Sequence, residues 1–404
     1  MNGPPRTRLL LLGALSTFGP LSIDLYLPAL PALAHQLRAS DDAAQWSISA
    51  CMVGLAVGQL FIGPLSDRVG RKRPLVVGVV TYAVASLLCA AAPSIAVLVV
   101  LRLVQGLAGS AGMVVVEAMV RDLYEGRRMA RILSLLMLVG GCAPVFAPVL
   151  GGQLLHVTDW RGLFVVLAAI SAALLLAVAA LPETLHPGLR HAGGLRRVRA
   201  GFRAVVRDRL FVGCALGSGI GGIALFVYIS VSPFVLEGGY GVSPQAFALI
   251  FGVNSVGLVL GGWCNALLLR RRAPERLLVV EALLAVVTSA VTLVAALCHA
   301  PLEVFLPALF ATVLTGGMAS PNATALALVR HPDNAGTAVA LLGGTGFLLG
   351  ALIAPLASLG GASAIAMTCG IAVARVGSWL AYAFVARPGR TVVDHSRAGD
   401  DVGL

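Results

Sequence analysis

This chain has little charge. Only 12% of its 404 residues are charged, 58% are hydrophobic, and the mean hydropathy is +0.92. Soluble domains carry about 25% charged residues. The polar surface a soluble protein of this length needs is missing, so the chain reads as an integral membrane protein. Lysine is nearly absent: among 29 basic residues only Lys72 is lysine. The net charge of +11 would point to nucleic acid in a soluble protein. Here the arginines fall in short strips between apolar runs, which reads as topology and leaves no nucleic-acid partner expected. There is no C-x-x-C among Cys51, Cys89, Cys142, Cys214, Cys264, Cys298 and Cys369. That excludes a zinc or disulfide framework read from spacing, and the cysteines are expected to be small buried hydrophobes. No G-x-x-x-x-G-K-[ST] loop occurs, which excludes direct drive by ATP. The seven histidines are scattered with no H-x-x-x-H, which argues against a lipid-modifying membrane enzyme. No metal or cofactor is expected.

What is present is a series of apolar runs long enough to span a bilayer, which takes ~20 residues. Twelve are expected: 9–30, 46–65, 75–93, 95–119, 130–155, 161–181, 210–236, 244–269, 276–299, 303–328, 336–359 and 363–386. Uninterrupted spans of this kind must be helices, because lipid offers no partner to an open sheet. Arg6 and Arg8 before "LLLLGALSTFGPL" imitate a secretory leader. The many comparable runs that follow favour a retained first helix. With the N-terminus taken as cytoplasmic, the arginine-rich strips all fall on the cytoplasmic side. The outer loops keep only Arg38 and Arg161, and Arg102 and Arg375 lie inside spans. Both termini are therefore expected in the cytoplasm.

The longest polar stretch, 183–209, follows the sixth span and reads as a basic cytoplasmic linker. It separates an N-terminal bundle, 1–182, from a C-terminal bundle, 210–386, with a cytoplasmic tail at 387–404. The halves repeat: "GLAVGQLFIGPLSDRVGRKRPLVV" (54–77) aligns without gaps on "GLVLGGWCNALLLRRRAPERLLVV" (257–280), and "AMVR" (118–121) on "ALVR" (327–330). The expected fold is an all-α membrane protein of twelve helices in two pseudo-repeated six-helix bundles. Many secondary transporters are built this way, with substrate held at the midplane between the halves.

"GPLSDRVGRKR" joins spans 2 and 3. Its Gly63, Asp67, Arg68, Gly70, Arg71 and Lys72 resemble the G-x-x-x-D-R-x-G-R-[KR] signature of the major facilitator superfamily. Topogenic arginines alone would not need an Asp-Arg pair with two spaced glycines. Gly70 suits the tight turn. Asp67 could latch onto the positive N-terminal end of span 11 near "NAGTAVA" (334–340), and the resemblance also implies such a latch. Arg102, Gln105 and Gly106 in "LRLVQGLAGSAG" fit the superfamily pattern of span 4. In "APVLGG" of span 5, Pro148, Gly151 and Gly152 keep most of a G-P-x-x-G-G antiporter element, with Ala147 in place of its first glycine. With "LGALSTFGPLSIDLYLPALPAL", "AMVRDLYEG" and "LPETL", the whole looks like the Bcr/CflA group of multidrug exporters.

Asp24 stands in "LSIDLYLPALP" inside the first run. A carboxylate at membrane depth costs ~3 kcal/mol on insertion scales. It lies about 24 Å along a helix from Arg8 at 1.5 Å per residue. Two readings stand. Either the helix ends there, which makes Asp24 an interfacial residue, or it continues and Asp24 faces the cavity as the proton-carrying group. The resemblance implies the second. Arg102 either joins that coupling or snorkels to the outer surface. Glu117 either joins it or pairs with Arg121 one turn on. Tyr26, Gln105, Asn254 and Asn322 are candidate cavity polar groups.

The function expected is a proton/drug antiporter that exports small lipophilic compounds, driven by the proton gradient and without a cofactor. The resemblance implies a monomer in the bacterial cytoplasmic membrane, whose partners are substrate, protons and lipid. The alternative is a proton-coupled exporter or importer of an endogenous small metabolite. A membrane enzyme acting on lipid is a remote third.

Overall fold

Backbone that cannot reach water must bond to itself, and every regular element in the structure is helical. The structure is a computed structural model that describes residues 6–179, 181–186, 202–203, 205–329, 331, 335–358 and 361–387. No strand occurs among them. The helices are α1 (Arg6–Ser16), α2 (Phe18–Asp24), α3 (Leu30–Gln36), α4 (Asp41–Val69), α5 (Lys72–Ala90), α6 (Ile95–Leu123), α7 (Gly126–Leu154) and α8 (Trp160–Ala179). They continue as α9 (Arg209–Pro233), α10 (Pro244–Leu268), α11 (Pro274–Leu297), α12 (Leu302–Gly316), α13 (Ala319–Val329), α14 (Ala335–Ile353) and α15 (Ala364–Leu380).

Among the described residues ten spans are long and apolar enough to cross a membrane. Two of the twelve expected runs are helical but fall short of an unbroken span. The first is split into α1 and α2, followed by a 3₁₀ turn at Leu27–Ala29. Pro28 and Pro31 sit at the starts of that turn and of α3, where a missing N–H costs least. The eleventh is α14, which tightens into a 3₁₀ turn at Ala354–Ser358. The tenth run also departs from a single helix, because α12 and α13 divide at Gly317.

The chain forms two compact units. The first comprises Met1–Gly194 with Ile229–Gly252, the second Leu195–Tyr228 with Val253–Leu404. In the first, α4 lies along α6, and α5 packs on α6 and α8. In the second, α11 packs on α12, α13 and α15, around a core that includes Phe211, Leu278, Leu326, Leu342 and Tyr382. Lipid tails are as apolar as leucine, so close backbone approach through small residues must hold such helices together. The sequence repeat shows its use here. A Cβ on Gly58 would lie 2.2 Å from Ser110 Oγ on α6. A Cβ on its counterpart Gly261 would lie 2.0 Å from the Leu314 carbonyl oxygen on α12. The same small-residue contact thus recurs within each unit.

Three cysteines depart from expectation: Cys264, Cys298 and Cys369 are exposed, whereas Cys51, Cys89 and Cys214 are buried. Much of the linker 183–209, Arg330, Asn334 and all of the tail beyond Arg387 lie outside the described residues.

Candidate functional site

The break in the first span sets the site. Asp24 is the last residue of α2, so the helix does end at this acid. It is nevertheless buried within the protein, at 4% exposure. Among the described residues no hydrogen bond or ion pair reaches its carboxylate. A buried charge normally carries a partner, so this one is set apart.

Its backbone, by contrast, is held from several sides. Two residues earlier, Ser22 Oγ meets Tyr82 Oη at 2.6 Å, and Arg102 Nη2 donates to the Ser22 carbonyl at 2.6 Å. Arg102 is fully buried on α6. Its Nε donates to the Ser47 carbonyl of α4 at 3.3 Å and its Nη1 to Gln105 Oε1. Gln105 Nε2 passes the chain on to Ser86 Oγ at 2.7 Å. The guanidinium lies 4.6 Å from the Tyr26 ring and 5.6 Å from Phe164, distances suited to cation–π attraction. Tyr26 Oη meets Ser47 Oγ at 3.0 Å. Arg102 therefore does not snorkel, and among the described residues no acidic side chain pairs with it. It ties α2, α4 and α6 together. The sequence places Tyr26 and Gln105 at a cavity wall, but the structure puts both in this fully buried cluster.

On the other side α7 presses its glycines against the break. A Cβ at Gly151 would lie 1.8 Å from the Leu25 carbonyl oxygen, next to Asp24. A Cβ at Gly152 would lie 2.7 Å from Ala248 Cβ on α10, where Gln245 Nε2 donates to the Gly152 carbonyl at 3.2 Å. Pro148 lies inside α7, which runs on through it. Gly151→Ala is expected to cost about 1–3 kcal/mol by overpacking and to lower the thermal midpoint of the purified protein. Gly141→Ala on the same helix, where nothing lies within 4 Å of the added carbon, is expected to hold or raise it, since alanine suits a helix interior better than glycine.

The loop between α4 and α5 is a second cluster. Gly70 takes φ +96°, a left-handed conformation that costs glycine least. Arg71 is its hub. Arg71 binds Asp67, donates to Ser66 Oγ at 2.8 Å, and grips Asp122 through Nε at 2.8 Å and Nη2 at 3.3 Å. The backbone N–H groups of Arg71 and Lys72 donate to Glu183 at 2.8 and 3.2 Å. Partial burial pushes the Glu183 carboxyl up, but N–H donors from Leu185, Arg71, Lys72 and Thr184 outweigh it and hold the group below its ordinary range. Lys72 Nζ caps the Ala179 carbonyl at 2.7 Å. Gly63 has only ordinary contact, with Val114 at 3.6 Å from an added Cβ, and Arg68 is exposed. The Asp67 side chain is half exposed and spent on Arg71. The span 11 end of its expected latch, at Asn334, lies outside the described residues. Arg71→Ala removes both guanidinium bonds to Asp122 and leaves that carboxylate to Thr184 Oγ1, so a loss of about 1–3 kcal/mol is expected in thermal unfolding. Arg71→Lys is expected to recover little of it, since lysine lacks the two-pronged fork.

The sequence matches the profile of the Major Facilitator Superfamily over residues 10–355. The chain belongs to that superfamily. It is accordingly a multi-span membrane transporter and not an enzyme. Among its superfamily relatives is an uncharacterized MFS-type transporter, YdgK, of Bacillus subtilis. That protein is 38% identical over 360 residues, covering 88% of this chain and 90% of the relative. A bicyclomycin resistance protein homolog of Haemophilus influenzae is 29% identical over 384 residues, 93% and 95% of the two chains. A multidrug resistance protein MdtL of Escherichia coli is 29% identical over 387 residues, 95% and 96%. These relatives place the chain with the Bcr/CflA-type transporters. In fold it is similar to a bacterial homolog of the human lysosomal transporter Spinster, with TM-score 0.76 at 17% identity over 97% of this chain and 99% of that one. It is also similar to the D-xylose–proton symporter, with TM-score 0.71 at 16% identity over 93% and 96%.

Other expected residues lie apart from the helix break. The Glu117 side chain is exposed on α6, and Arg121 reaches its backbone carbonyl (3.4 Å), not its carboxylate. Asn254 donates to Tyr228 Oη at 2.9 Å in the second unit. Asn322 donates to Glu281 Oε2 at 2.8 Å and to Asn265 Oδ1 at 2.9 Å. Glu281 is 2% exposed, and its Oε1 has no partner among the described residues. Asn265 and Tyr82 carried no signal beyond being polar groups in apolar runs.

Proposed function

We propose that this transporter exports small lipophilic compounds in exchange for protons, and that Asp24 carries the proton. One observation supports this above the rest: a carboxylate buried at a helix break with no partner among the described residues. A paired acid would be stabilised in one charge state. An unpaired one is free to alternate as substrate and proton exchange at it. The names of two relatives, bicyclomycin resistance protein homolog and multidrug resistance protein, favour drugs as cargo. The arginine strips favour cytoplasmic termini, and the relatives favour a bacterial cytoplasmic membrane. A monomer is the expected state, and the proton gradient the energy source: one charge crossing 100 mV is worth ~2.3 kcal/mol.

The test uses inverted membrane vesicles, whose lumen corresponds to the outside. Acidifying the lumen should drive a fluorescent lipophilic cation inward, and collapsing the pH gradient should release it. Uptake that ignores the gradient would sink the proposal.

A further inference from the structure

The second unit contains a cavity of about 130 Å³. Its walls include Arg375 of α15, Gly316 of α12, Ser320 of α13, and the Ser218–Tyr382 hydroxyl pair, whose oxygens are 3.1 Å apart. Among the described residues Arg375 is the sole charged one lining it. Its position, well inside the Ala364–Ala386 span, is expensive for a cation. Among the described residues no hydrogen bond or ion pair reaches the guanidinium, and its Nε is enclosed without a partner. The nearby acid Glu281, one residue before the lining Ala282, is bonded to Asn322 instead. Gly316 makes the room: a Cβ there would lie 2.2 Å from Arg375 Nη2.

We infer that this cavity is an oxyanion site, in which Arg375 and the surrounding hydroxyls hold a carboxylate or an inorganic oxyanion. A guanidinium is planar and forked, and it matches the two oxygens of such a group. The hydroxyls can donate to what the fork leaves open. Size limits the ligand. Drug pockets run to about 300–1,000 Å³, so this cavity takes a small anion or only the anionic end of a larger molecule. The site lies within the second unit and does not involve Asp24.

The test is calorimetric titration of the purified full-length protein with acetate, benzoate and inorganic phosphate, against chloride at matched ionic strength. Saturable binding of at least one oxyanion is expected, without a chloride equivalent. Acetate or benzoate binding without phosphate would mark a carboxylate site, and the reverse an inorganic one. Arg375→Gln should weaken that binding at least about tenfold. Gly316→Ala keeps the charge but displaces the fork, and should weaken it similarly. The Gly316→Ala chain supplies the answer if Arg375→Gln does not fold. No saturable oxyanion binding by the wild type would overturn the inference and leave a cavity filled by water. Binding unchanged in either folded variant would overturn it as well, by locating the anion elsewhere.

Discussion

Asp24→Asn is expected to abolish export driven by a pH gradient while leaving the protein as stable as before. The two side chains match in size, so the packing at the end of α2 is preserved. No hydrogen bond to the carboxylate is lost, because none reaches it among the described residues. Removing an unpaired acid from a site 4% exposed also removes a desolvation cost. The thermal midpoint should therefore hold or rise. Asparagine cannot carry a proton, and positioned proton-transfer groups contribute on the order of 10²–10⁴-fold in other systems. A fall of about 10²-fold in gradient-driven export in inverted vesicles is the expected size. Exchange of labelled for unlabelled substrate across unenergised vesicles should survive. Gradient-driven export that persists in the variant would remove Asp24 from the coupling step.

Arg102→Leu should do the opposite and strike stability first. The substitution strands the Gln105 amide oxygen and the Ser22 carbonyl at the end of α2 in a fully buried place, and takes the second donor from the Ser47 carbonyl inside α4. It also removes the cation from between Tyr26 and Phe164. Each stranded buried acceptor costs about 1–3 kcal/mol, so a loss of several kcal/mol is expected, read as a marked drop in the thermal midpoint in detergent. Arg102→Lys should rescue little, because a single ammonium cannot reach three acceptors on three helices. Transport should fall too, since Ser22 lies one helical half-turn before Asp24. The two variants are then told apart by stability: Asp24→Asn leaves the midpoint alone, Arg102→Leu lowers it. An unchanged midpoint in Arg102→Leu would show that the cluster does not hold the break.

The contrast between these residues shows where sequence reading stops. Both are charged groups inside apolar runs, and by composition both look like coupling residues. Arg102 is saturated by groups from positions 22, 47 and 105, whereas among the described residues none meets the Asp24 carboxylate. Periodicity and motif spacing describe neighbours along the chain, and these partners are up to 80 positions apart. The same holds for the loop signature. Its glycine turn was legible at Gly70, because a left-handed turn is a local requirement. That Arg71 would grip Asp122 and that its backbone would bind Glu183 was not.

From the amino acids alone came the class, the helical spans, the superfamily and the suspicion attached to Asp24. All of these rest on local quantities: the length of an apolar run, the position of arginines at its ends, the spacing of a short motif. Only the tertiary structure decided that the first helix stops at Asp24 yet leaves it buried, that Arg102 serves as scaffold, that Gly151 exists to admit the Leu25 carbonyl, and that Arg375 faces a cavity without a counter-charge. Burial and pairing are sums over residues brought together by packing, and in lipid that packing depends on small-residue contacts whose partners no single stretch of sequence names.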